Sequence, residues 1–124
     1  MSRTYTDFFK HSLLTGAINF DSDTFAVILC DGSPGSEDTV EQEADLSNVA
    51  AGSKTSVTVT RSGVNIALTS GSMGVLSNYP LTNYSVFLNE TKDIVCWWED
   101  GVGLDTNGTS EVLYSGSGQY IFTI

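Results

Sequence analysis

From Thr24 onward the apolar residues of this chain fall into short runs of period two or of no period. Gly, Ser, Asn and Asp break them about every ten residues. That spacing suits pleated strands, whose successive side chains point to opposite faces, and does not suit a helix. Thr24 to Cys30 is a continuous apolar run, the mark of a strand buried on both faces. Thr55 to Arg61 alternates, with Val57 and Val59 opposite Thr58 and Thr60; Val64, Ile66 and Leu68 alternate after a turn at Ser62-Gly63. Tyr84, Val86 and Leu88 alternate as well, and Asp93 to Trp98 follows the polar turn Glu90-Thr91-Lys92. Val112 to Tyr114 and Tyr120 to Ile124 close the chain around Ser115-Gly116-Ser117-Gly118. The expected fold is all-β: a single antiparallel β-sandwich or jelly-roll-like domain with a short N-terminal helix.

The helix is expected over residues 4–14, where Tyr5, Phe8, Phe9 and Leu13 share a face and Gly16 supplies a stop. Residues 1–16 thus read as an N-terminal segment and residues 17–124 as the β-domain. A chain of 124 residues buries roughly two thirds of its unfolded surface, enough for one core.

Charge removes several functions. Fifteen acids against five bases give −10, and a protein that binds DNA or RNA needs bases to neutralise phosphates. Anionic membrane surfaces are disfavoured for the same reason. No apolar run has the length of a transmembrane helix, and Asp7 and Lys10 interrupt the N-terminus where a signal peptide is unbroken. Production in a cytoplasm is expected. Cys30 and Cys96, each inside an apolar run, are expected as buried free thiols.

Chemistry is sparse. The single histidine, His11, lacks cysteines nearby for a zinc site, and G-x-S-x-G is absent. Gly71-Ser72-Met73-Gly74 and Ser115-Gly116-Ser117-Gly118 lack the lysine of a phosphate loop. Trp97-Trp98 before Glu99-Asp100 has the composition of a sugar cleft, but neighbours on a strand face opposite ways, so one Trp is expected inside and the other exposed. Asp105 to Glu111 and Asp21-Ser22-Asp23 offer oxygen ligands in weak calcium-like order. Three N-x-[ST] matches, at Asn83, Asn89 and Asn107, are read as chance. The expectation is therefore not an enzyme, with no catalytic residue, metal or cofactor.

Two segments suit a partner. Asp31 to Asp45 holds six acids and no base, and no Lys or Arg lies between Lys10 and Lys54. Glu37, Asp38, Glu41 and Glu43 in this loop are expected to steer a basic partner, while Tyr5, Phe8 and Phe9 anchor it. Trp97 and Trp98 complete the candidate partner-binding set. Residues 2–14 are expected to be removable with the β-domain still folded. Asp100 to Thr109 reads as a connector.

The order of these features resembles small virion proteins of tailed bacteriophages. The resemblance is carried by Ile18 to Leu29, the acidic segment Asp38 to Val49 and the hairpin Thr55 to Thr69. Tyr84 to Leu88 with Ile94 to Trp98, and the ending Gly118 to Ile124, complete it. It implies a structural role, most readily a capsid decoration (cement) protein on the outer face of the shell. Its implied partners are the major capsid protein and its own copies, as a homotrimer, with neither nucleic acid nor membrane. The implied location is the virion capsid surface. A tail or fibre attachment component and a glycan-binding module are the alternatives.

Overall fold

A computed structural model describes residues 3–50, 53–63, 65–68, 71–114 and 120–123, with side chains over 3–50, 53–61 and 84–100. The chain is mostly β. Its larger sheet is antiparallel and five-stranded, in the order β1 (Arg3–Tyr5), β7 (Ile94–Tyr114), β6 (Gly71–Asn89), β2 (Phe25–Cys30), β3 (Thr55–Val57). A second sheet holds β4 (Val59–Ser62), β5 (Asn65–Leu68) and β8 (Tyr120–Thr123). One helix, α1 (Asp7–Leu14), packs on β7.

The unbroken apolar run of β2 is buried at every position, as its sequence requires. Phe25, Val27 and Leu29 face one core cluster, with Phe9, Phe20, Phe87, Ile94, Cys96 and Trp97. Ala26, Ile28 and Cys30 face the other, with Val40, Val86, Leu88, Val95 and Trp98. The two cysteines are free and lie on opposite faces, so each fills space as a small hydrophobe.

Residues 4–14 are not one helix. Arg3–Tyr5 pairs with Glu99–Trp97 as a strand, and the helix starts only at Asp7. Thr6 causes the break: its Oγ1 accepts from the Phe9 N–H at 3.1 Å, while its extended backbone lets its own N–H donate to Cys96 O at 3.0 Å. The helix ends where expected. Gly16, at φ 74°, donates to Leu13 O and Ala17 donates to Ser12 O, a turn that needs a left-handed residue.

Thr55 to Arg61 is not one strand either. It leaves the five-stranded sheet at Thr58 and enters the smaller one, so β3 and β4 belong to different sheets. The expected turn at Gly63 (φ 60°) joins β4 to β5. Asp100 to Thr109, expected as a connector, lies within β7, and the Gly71-Ser72-Met73-Gly74 turn lies within β6. Pairing between these two strands overrides their weak local β-propensity. Ser115 to Gly118 lies outside the described residues.

Candidate partner-binding surface

The acidic loop is a lid over one face of the sheet. Val40, 2% exposed, and Leu46 join the cluster around Trp98, and Pro34 is fully buried. Gly35, at φ 138°, leaves room for Val40: a Cβ there would come within 2.6 Å of its Cγ2. The lid is tied down at several points. Asp31 N donates to Asn48 O at 2.9 Å, Ser47 N to Pro34 O at 2.8 Å and Val95 N to Glu41 O at 2.8 Å. Glu43 N donates to Asp93 Oδ1 at 3.1 Å, from a turn in which Asp93 holds φ 56°. Asp45 accepts from the Gln42 and Glu41 N–H groups, which holds its carboxyl below the usual range.

This anchoring joins segments that the sequence kept apart. Asp7 N, at the start of α1, donates to Glu37 O at 2.9 Å. The seam between loop, helix start and β6–β7 turn therefore carries Asp7, Glu37, Asp38, Glu41, Asp45 and Asp93, all exposed. None of these six forms an ion pair among the described residues. Glu43 differs: Lys54 Nζ sits 2.8 Å from it and 3.3 Å from Glu90.

Four of the five bases are spent inside the fold. Besides Lys54, Arg61 pairs with Asp21 at 2.8 Å and Lys92 with Asp23 at 2.8 Å. Arg3 binds Glu99 and lies 5.3 Å from the Trp97 ring centre. Asp21 is held below the ordinary carboxylate range by the Arg61 guanidinium. At Asp23 burial opposes ionisation, but Lys92, the Asn19 N–H and Asn89 together outweigh it and lower the pKa. The Asp21-Ser22-Asp23 carboxylates are thus committed to bases. Among the described residues no cluster of His, Cys, Asp and Glu could hold a metal ion. Asp105 to Glu111 lies in β7, beyond the described side chains.

The aromatic candidates lie elsewhere than expected. Phe9 is 1% exposed, inside the core, and Tyr5 and Phe8 are half-buried against it. Tyr5 and Phe9 both meet the Trp97 ring edge-on, at 5.5 and 5.6 Å, and Phe87 stacks on it at 4.3 Å. The expectation of one exposed tryptophan fails: Trp97 is 3% and Trp98 5% exposed. They do face opposite ways, but α1 covers one face and the acidic lid the other. A β-bulge at Cys96 sets this phase, since Phe87 pairs with Trp97 while Leu88 pairs with Val95. The expectation that residues 2–14 are dispensable also fails, because β1 pairs with β7 and Phe9 is core.

Several residues that build this surface were not singled out. Thr6 carried a signal as a Thr ahead of an apolar helix. Val40 carried a fainter one, as a lone large apolar residue in an acidic run. Asn89, named above only for its N-x-[ST] match, is fully buried, its Nδ2 donating to Asp23 Oδ2 at 2.8 Å, so it is no glycan acceptor in the folded chain.

What the fold defines is a β-rich chain around a five-stranded antiparallel sheet, with one short helix and a strongly acidic seam. Compared with family models, curated proteins and solved structures, the chain matches none. Among the described residues no helix is long and apolar enough to cross a membrane.

Proposed function

We propose that this chain is a structural protein of a phage virion, a decoration protein that binds the outer face of the assembled capsid. The observation that carries the reading is the acidic seam beside a central strand, β2, that is buried on both faces. Asp7, Glu37, Asp38, Glu41, Asp45 and Asp93 are exposed with no ion pair among the described residues, while four bases neutralise acids within the fold. Such a surface steers encounter with a basic patch and keeps its shape on binding. The major capsid protein is the proposed partner, and copies of the chain assemble as a homotrimer. With Tyr5, Phe8 and Phe9 committed to the fold, affinity falls to the lid margin. Burial of both tryptophans weighs against a glycan-binding module, which needs an open aromatic face.

The same reading takes the smaller sheet as the second layer of a β-sandwich. Support comes from the sheet change at Thr58 and from Val57 and Val59, which both pack against the cluster around Trp97.

The test adds labelled protein to purified shells and images them. Label over the whole shell at many copies is the expected result. Label only at the tail would replace the reading with a tail or fibre component, and absence of label would overturn it.

A further inference from the structure

Beyond Tyr84 and Asp100 the ladder between β6 and β7 continues alone. Thr82 pairs with Leu104, Leu76 with Ser110 and Gly71 with Tyr114, while β2 reaches only Tyr84 and β1 only Glu99. Among the described residues no third strand joins this stretch. Residues 71–83 and 101–114 therefore form a two-stranded ribbon, about 40 Å long at the usual strand rise. An isolated two-stranded ribbon is marginal in water; a third strand or a packed face is what makes one stable.

Its composition is unlike the rest of the chain. The ribbon has no base and only two acids, Asp105 and Glu111, so −8 of the net −10 lies outside it. Met73, Val75, Leu76, Tyr79 and Leu81 are on one strand, and Val102, Leu104, Val112, Leu113 and Tyr114 on the other. Strand edges meant to stay free usually carry lysine, and none follows Lys92. Depletion of charge with retention of tyrosine and methionine is the composition of an interface core.

We infer that this ribbon is the surface through which copies of the chain associate, the ribbon of one copy covering that of another. Charge selects the occupant. A basic partner is drawn to the acids elsewhere on the chain, whereas a second copy is repelled by them and meets least repulsion ribbon to ribbon. The inference rests on the self-association proposed above and not on the capsid.

The experiment is sedimentation of the full chain across micromolar concentrations without shells, for wild type and for Val75→Glu/Leu113→Glu. Leu14→Glu, on an exposed position of α1, serves as control. Wild type and control should sediment as one oligomer. The double variant should associate about a hundredfold or more weakly, because like charges face each other across the interface. Its near-ultraviolet tryptophan dichroism should be unchanged, since Trp97 and Trp98 lie outside the ribbon. Should that variant fail to fold, hydrogen exchange of wild-type amides in 71–83 and 101–114 decides: protection that rises with concentration supports the inference, and protection independent of concentration overturns it. A monomeric wild type, or a folded double variant that associates like wild type, overturns it as well. A free oligomer that ignores shells would sink only the capsid reading.

Discussion

Thr6→Val tests the joint that holds the N-terminal segment to the sheet. The substitution keeps shape and volume and removes only the hydroxyl. That hydroxyl donates to Val95 O at 2.7 Å and accepts from Phe9 N at 3.1 Å, at a residue with no exposed surface. Loss of the cap costs about 1 kcal/mol. Stranding the Val95 carbonyl beside the bulge at Cys96 costs about 1–3 kcal/mol more. The sum, about 2–4 kcal/mol, corresponds to a fall in Tm of about 8–15 °C for a domain of this size. Thr6→Ser retains both hydrogen bonds and should lose much less. Thermal melts followed by tryptophan dichroism measure both, because Trp97 lies directly against α1. A Thr6→Val protein that melts within a degree or two of wild type would refute the assignment of this hydroxyl as the clamp.

Phe9→Ala removes a ring that touches Tyr5 and Trp97 in the core, and should cost about 3–5 kcal/mol in urea unfolding. Stability should fall in acid: Asp23 has a lowered pKa in the fold, so its contribution is present above its ordinary value of 3.8 and is lost as pH drops through the folded one. Urea midpoints between about pH 5 and about pH 2.5 should show that slope, and Asp23→Asn should flatten it. Burial, with Asp31 nearby, pushes the Cys30 thiol up to about 11, and burial pushes Cys96 higher still, so neither should react with a thiol reagent at neutral pH until the chain unfolds. Glu37→Gln/Asp38→Asn/Glu41→Gln should slow association with shells and weaken its salt dependence while leaving the melting temperature nearly unchanged.

The strands whose side chains pack most tightly were also the ones most legible in the sequence. The run at β2 and the alternation at Tyr84 to Leu88 report burial directly, because few other backbones suit such patterns. Thr55 to Arg61 shows the limit: alternation persists across Thr58, since period two records which side is apolar and not which sheet receives it. The tryptophan pair shows another. Alternation correctly set Trp97 and Trp98 on opposite faces, but whether a face is covered depends on a lid that turns only one valine, one proline and one leucine inward. The acidic residues were legible as a cluster; their meeting with Asp7 depends on a backbone hydrogen bond, which leaves no mark in side-chain chemistry, and their meeting with Asp93 on its carboxylate accepting from Glu43 N across 50 residues.

The pairing of Arg3 with Glu99 also bears on synthesis. The first strand of the sheet leaves the ribosome with its partner still 96 residues away. At about 5–20 residues per second, Tyr5 and Phe9 wait several seconds or longer before Trp97 exists to receive them. No order of folding can complete the aromatic cluster sooner. Loop-closure entropy over so long a separation makes this closure a slow step. Nascent chains halted before Trp97 therefore lack the surface that shelters the N-terminal aromatics, and those aromatics are what a chaperone would meet first.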